Sequence, residues 1–439
     1  MTERSRPMHL IRNTFPSLPV EVWTSAWNLV SSKEDLKSLS LTCRLFRDIC
    51  QPSVFAEVKH TNDRFRYAPP GIGISWWIED ADYAVRRIYG LSQHPIHRHS
   101  VKMVHFEGLR EGSLSSPSHR TQVELSARYR TLISTYLLAL KSFTRLREVV
   151  LQSAIVVDDD VALALSNLKF MDRLRIIDCA YSCSKPVSPS ITVKELFLSN
   201  FAPTVKLFSN KRLHVLSLYG FSVPLLSHFM TEGINNHLTD IFIALGARDS
   251  MITVTAFLGS CPVLERLRLS SRLPLSDPPQ LCLPANALPR LSSYSGPAYF
   301  ATSIIPGRPV QDIETTDHRG MNLQQNDIEM EHFLGSLHRS TGHIRKLHIC
   351  HIPLSATTLV FIFQFFPRLR SLEVGFDRST ARKDQFPITA HDRDELALVR
   401  EHGCGPASAC SWQDTGGGDD GSLKVRLLSP VSLIICLSH

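Results

Sequence analysis

Apolar residues return along this chain in one short phrase: an apolar residue, two others, an apolar residue, one other, an apolar residue. Val101, Val104 and Phe106 fit it, as do Leu146, Val149 and Leu151, and Leu174, Ile177 and Cys179. It continues at Val193, Leu196 and Leu198; at Leu213, Leu216 and Leu218; at Leu238, Ile241 and Ile243; and at Leu264, Leu267 and Leu269. Leu291 with Tyr294 and Val310 with Ile313 are weaker copies. The pattern returns at Ile344, Leu347 and Ile349 and at Leu369, Leu372 and Val374. Alternation over its last residues predicts a short strand with one buried and one wet face. The wet side carries Arg147, Glu148, Lys194, Glu195, Glu265, Arg266, Arg268, Arg345 and Lys346.

Between the phrases the apolar spacing becomes helical, as in Thr131 to Leu140, Asp160 to Leu165 and Met251 to Leu258. Cys261-Pro-Val-Leu and Phe366-Pro-Arg-Leu then precede strands, with a proline that ends the helix. Copies about 25 residues apart fall in the range of leucine-rich repeats. One strand and one helix per copy, each burying its apolar face against its neighbours, predict an α/β fold: a curved solenoid of parallel strands plus helices. A doubly wound α/β domain also alternates strand and helix. Its strands are usually continuous apolar runs and its first turn is usually rich in glycine, whereas here charged or polar residues stand between the apolar ones and one face is wet, which favours the solenoid.

Ahead of the repeats the period is helical. Val22, Ala26, Leu29 and Val30 make one stripe; Leu36, Leu39, Cys43 and Phe46 make a second, with Leu41 and Leu45 beside it. Two short helices are expected. Pro19 suits a first turn, Glu21 complements the helix dipole, and Ser32 with Asp35 resembles a capping box. Any helical hairpin with a buried face shows such stripes. More specific is the ordered string Leu18-Pro19, Glu21-Val22, a spacer, Asp35-Leu36, Leu39, then Cys43-Arg44 and Phe46. It resembles the F-box, the small helical module that docks on the Skp adaptor of a cullin-type ubiquitin ligase. Ala26 departs from that family, which usually has a larger aliphatic residue there. The continuation Gln51 to Phe55 looks like the tail that often follows the box in fungal members. The repeats resemble the divergent leucine-rich repeats that follow the F-box in many fungal proteins, without their regular Asn or Cys apart from Asn200 and Cys350.

Composition adds restraint rather than direction. The 439 residues are 43% apolar and 20% charged, the profile of a globular protein with room for more than one domain. A net charge of +7 spread without a dense basic block gives nucleic-acid binding little support. Ten cysteines without framework spacing, and no N-glycosylation sequon, fit a reducing compartment. The first residues lack a signal-peptide pattern, and the most apolar run, Leu359 to Phe366, is too short to span a membrane.

Chemistry-bearing clusters are few. His94, His97 and His99 are close, but Pro95 breaks their face and neither Cys nor carboxylate joins them. Asp158 to Asp160 reads as a solvated helix start. Cys404 and Cys410 near His402 sit in a Gly-rich stretch without a rigid scaffold. No phosphate loop, nucleophile elbow or zinc-protease motif occurs, so no catalytic, cofactor or metal site is expected.

The chain therefore divides into a loose arm (1–14), the F-box-like module (15–58), a linker with helices (59–100), the repeats (101–376) with a proline-rich irregular insertion around 272–335, and a charged, Gly-rich, disordered tail (377–439). The resemblance implies a non-catalytic receptor of a Skp–cullin–F-box ubiquitin ligase in the cytoplasm or nucleus. The module would bind the adaptor, and through it a cullin, by Leu18, Pro19, Val22, Leu36, Leu39, Leu41 and Phe46. The repeats would bind a target protein. The alternative is a leucine-rich-repeat scaffold outside any ligase, with the helical module as an end cap. A cap buries its apolar stripe, whereas a docking module leaves it exposed.

Overall fold

The computed structural model describes residues 18–30, 32–61, 73–108, 119–153, 155–186, 188–203, 206–220, 223–233, 235–246, 250–271, 281–316, 327–350, 356–375, 422–429 and 432–437. The chain is α/β with a large parallel sheet. It forms two compact units, residues 1–106 with 114–147 and residues 107–113 with 148–439.

The first unit opens with α1 (Val20–Asn28), α2 (Lys33–Ser40) and α3 (Arg44–Val54). Three helices thus stand where the sequence predicts two. The second apolar stripe is interrupted at Leu41-Thr42-Cys43, where the extended Cys43 starts α3 and its Sγ accepts from the N–H of Phe46 at 3.5 Å. The predicted cap at Ser32 is present: its Oγ accepts from the N–H of Asp35 at 3.2 Å. Next come β1 (Glu57–His60), α4 (Gly73–Gln93), α5 (His97–Ser100), β2 (Met103–Glu107) and α6 (His119–Ser142). β1 pairs in parallel with β2, Val58 opposite Val104 and His60 opposite Phe106. Strand pairing therefore begins at Glu57, earlier than the predicted start at residue 101. The copy at Phe55, Val58 and His60 escapes notice because its third inward residue is a histidine, buried against Phe106 at 5.4 Å between ring centres. Ile88, Leu132 and Tyr136 close the core where α4 and α6 meet.

The second unit runs β3 (Glu148–Gln152), β4 (Val156–Val157), α7 (Asp159–Ser166), β5 (Arg173–Ile177), β6 (Ala180–Tyr181), β7 (Ile191–Thr192), β8 (Glu195–Ser199), β9 (Phe208–Ser209) and β10 (Val215–Tyr219). It continues α8 (Val223–Thr231), β11 (Asp240–Leu245), α9 (Met251–Gly259), β12 (Arg266–Ser271), β13 (Ser293–Gly296), α10 (Ala298–Ile304), β14 (Asp312–Thr315), α11 (Asp327–His338), β15 (Lys346–Cys350), α12 (Ala356–Phe365) and β16 (Ser371–Gly375). β3, β5, β8 and β10 to β16 pair in parallel, each with the next in chain order. The pairs β4–β6 and β7–β9 form small separate parallel ladders.

Every predicted strand of the repeat phrase is present, and register corrects one frame. Leu174 lies opposite Val149 and Leu196, so the phrase there is Met171, Leu174 and Ile176, all buried, rather than Leu174, Ile177 and Cys179. The sequence predicts an irregular insertion around 272–335; 272–280 and 317–326 lie outside the described residues, and within its described residues β13 and β14 continue the ladder. Their phrases look weak because the third inward positions are Gly296 and Thr315. Gly296 has a packing reason: a Cβ there would stand 2.8 Å from the Leu269 carbonyl oxygen and 2.9 Å from the Tyr294 hydroxyl. Tyr294 fills the space instead, fully buried, and its hydroxyl donates to the Pro297 carbonyl at 2.8 Å. Within the expected disordered tail, β17 (Ser422–Ser429) and β18 (Ser432–Leu437) pair antiparallel, β17 also with β16. Alternation at Leu423, Val425 and Leu427 is the strand signal that the Gly-rich composition upstream obscures.

Turns are held in register by stacked polar residues. The Asn210 amide donates to Asn235 Oδ1 at 2.7 Å, and the Asn235 amide donates to Ser260 Oγ at 2.9 Å. Buried amides in neighbouring copies thus satisfy one another, which burial otherwise penalises. After β5, β8 and β10, Asp178, Asn200 and Gly220 turn the chain with positive φ, and Asn200 donates to Asp178 at 2.7 Å.

Candidate docking surfaces

The helical module closes on an aromatic centre. Trp23 and Trp27 stack at 5.7 Å, and Phe46 meets them edge-on at 5.1 and 5.0 Å. Beneath them Leu36, Cys50 and Val54 are buried, with Trp27, Val30, Leu39 and Phe55 packed against them. The seven predicted adaptor residues therefore separate. Leu36, Leu39 and Phe46 face inward and hold the helices together; Leu18, Pro19, Val22 and Leu41 face solvent.

The outward set is larger than predicted. Val20, Leu29 and Leu45 join Leu18, Val22 and Leu41, and these six make up a large part of the exposed bulky apolar residues among the described ones. Leu29 and Leu41 are the most exposed of the six, at 86% and 79%. The stripe Val22, Ala26, Leu29 is the outer face of α1 and its end, while the inner face is Trp23 and Trp27. Sequence periodicity alone cannot tell the two faces apart, since both are apolar.

The second surface is the wet face of the parallel ladder. Register aligns Arg175, Phe197, Ser217, Phe242 and Arg268 in one row across β5, β8, β10, β11 and β12. Tyr219, one outward position further along β10, joins the rings: it lies 5.0 Å from Phe197 and 4.4 Å from Phe242, stacked on the latter. Arg175 sits over Phe197 at 5.1 Å and Arg268 over Phe242 at 6.0 Å, cation–π distances. A depression of about 310 Å³ adjoins the rings, floored by Ser217, Ser270 and Ser295.

Charges on this face are graded along the ladder. From β5 to β12 the outward residues are Arg173, Arg175, Arg266 and Arg268 against Glu195 and Asp240, a positive balance. Arg173 is engaged by Glu195 at 2.9 Å and Glu148 at 3.7 Å, and its hydrogen bond to Glu195 raises its pKa further. Arg266 and Arg268 share one carboxylate, Asp240, at 2.7 and 3.4 Å. Arg175 pairs with no carboxylate among the described residues. From β14 to β16 the balance is negative: Asp312, Glu314 and Glu373 against Lys346 and the half-buried His348. The sequence announces the wet face but not this gradient, because pairing across strands needs the register.

The remaining clusters resolve simply. His94 and His97 stack at 3.9 Å, burial lowers the His97 pKa, and His99 hydrogen-bonds Thr144 at 2.7 Å. Among the described residues no group of three His, Cys, Asp or Glu is placed to hold a metal. Asp158 caps α7, its Oδ1 accepting from Val161 at 2.9 Å, as expected of a helix start. His402, Cys404 and Cys410 lie outside the described residues. No described helix is long and apolar enough to cross a membrane. No protein-family model matches the chain, and no curated protein matches it either.

Proposed function

We propose that this chain is the target receptor of a Skp–cullin–F-box ubiquitin ligase, with residues 15–58 as its F-box and the repeats as a leucine-rich-repeat solenoid in the cytoplasm or nucleus. The solenoid reading draws support from strand order: parallel strands follow one another in chain order without the reversal that marks a doubly wound sheet. The observation that carries the ligase reading is the outward apolar set of the helical module. Its own core is already closed by Trp23, Trp27, Leu36 and Phe46, so Leu18, Val22, Leu29, Leu41 and Leu45 stay wet. An end cap buries such residues; a docking module keeps them for a partner.

In this role the chain does no covalent chemistry. It holds a target near a ubiquitin-charged enzyme recruited through the cullin, which raises effective concentration across a fixed geometry. The test is capture of purified Skp adaptor by the full chain and by a Leu41→Asp, Leu45→Asp variant. Both substituted side chains are exposed, so the variant is expected to keep its unfolding midpoint and lose the adaptor. A folded full chain that ignores the adaptor would return the module to the role of a cap on a scaffold outside any ligase.

A further inference from the structure

We infer that the aromatic row on the wet face of β5 to β12 binds an extended, unmodified peptide segment carrying two acidic residues six positions apart, with apolar residues between them. The inference rests on the receptor reading above and supplies the chemistry of its target. Arg175 and Arg268 mark the two ends of the row, and Phe197, Tyr219 and Phe242 lie between.

Spacing sets the motif. Four strand-to-strand steps separate Arg175 from Arg268, and at ~4.8 Å per step the span is ~19 Å. An extended peptide rises ~3.3 Å per residue, so six residues cover ~20 Å. Residues an even number apart point the same way. An acidic residue at the first position and another at the seventh therefore both face the ladder, together with the third and fifth. Those two middle side chains reach the rings of Phe197 and Phe242, bridged by Tyr219.

Charge fixes the sign. Arg175 has no carboxylate partner among the described residues, and Arg268 has only a share of Asp240. Each guanidinium is thus open to a carboxylate from outside, and each already lies over a ring that an apolar neighbour can extend. Single-stranded nucleic acid would also find rings and arginines here. It is disfavoured because Asp240 and Glu195 lie on the same strands and Asp312, Glu314 and Glu373 follow along the face. A continuous run of phosphates would meet these carboxylates, whereas a peptide with two isolated acids avoids them.

The experiment measures fluorescence anisotropy of a labelled nonapeptide with the full chain. The peptide has glutamate at its second and eighth positions, leucine at its fourth and sixth, and glycine or serine elsewhere. Saturable binding below about 1 mM is expected, weakened about tenfold or more when both glutamates become lysine. An Arg175→Glu, Arg268→Glu variant is expected to lose the glutamate peptide and to prefer the lysine peptide. That exchange of preference also shows that the variant is folded. The inference is overturned by absence of saturable binding, by equal binding of the two peptides, by a folded variant with unchanged preference, or by an oligouridine that binds more tightly and displaces the peptide. No adaptor is present in this assay, so its failure leaves the ligase reading to the adaptor capture, and either can fail alone.

Discussion

In the helical module Leu29 and Leu41 stand 86% and 79% exposed, while in the strand ladder Leu216 and Leu267 are wholly covered. The two regions draw on the same residue type for opposite ends. In the ladder each strand gives its alternate residues to a core shared with both neighbours, and its wet face is largely charged or polar apart from the row of Phe197, Tyr219 and Phe242. The module closes a small core with three aromatic rings and a few aliphatic residues, then sets further leucines on its surface. Stability therefore resides in the repetition of the ladder, and the module's excess apolar surface has no structural use within its own helices. A region that shows more apolar surface than its fold needs is the one to test for a partner.

The sharpest break between the regions is a pair of leucine substitutions. Leu267→Ala removes side-chain atoms from a fully buried site between β11 and β13, and is expected to cost about 2–5 kcal/mol. Leu41→Ser removes a side chain that touches mostly water, and is expected to change stability by under about 0.5 kcal/mol while reducing adaptor capture. Urea unfolding of the two variants beside the parent chain checks both. Equal losses would mean that Leu41 is covered in solution and that the contrast is false.

A second substitution tests whether the ladder depends on apolar burial alone. Asn235→Leu is nearly isosteric, but it removes the acceptor of the Asn210 amide and the donor to Ser260. Leaving the buried Asn210 group without Asn235 is expected to cost about 1–3 kcal/mol, although the new side chain is more apolar. A neutral or stabilising result by urea unfolding would assign the stack a minor part in holding the turns.

Much of the ladder was legible because its signal is periodic and repeated. Leu196, Leu216, Ile241 and Leu267 each occupy the same place in the phrase, and the structure pairs them in that register. What escaped reading were positions where a non-leucine residue does the leucine's work. His60 and Thr315 take inward places, and Gly296 yields its volume to Tyr294. The frame at Leu174 slipped because Ile176 and Ile177 are both apolar, and only pairing with Leu196 and Leu198 separates them. In the module the stripes were visible but not their direction. Val22 and Trp23 are neighbours on one helix, and the larger ring takes the core because it buries more surface. The arginine-flanked aromatic row was out of reach, since its members are some 20 residues apart in sequence and meet only through register.

The smallest effect expected is also the one that isolates a single charge within the ladder. Glu232 follows α8, accepts from the N–H of Asn210 at 2.8 Å and pairs with Lys206. Burial pulls its pKa up, but the hydrogen bonds from Lys206 and Asn210 outweigh that and hold it below the ordinary glutamate value. A carboxylate whose folded pKa is depressed contributes stability that is present above its unfolded pKa and is lost as pH falls through the folded value. Glu232→Gln should therefore be less stable than the parent near neutral pH, by about 1 kcal/mol. The gap should narrow as pH drops below about 4.3, the ordinary glutamate pKa. All other titrating groups are common to both chains, so the difference between their unfolding midpoints follows this one carboxylate. A gap near zero at every pH would show that the site needs a hydrogen-bond acceptor, which glutamine keeps, and not its charge. The turn between β9 and β10 would then be held by the same neutral chemistry as the Asn235 stack.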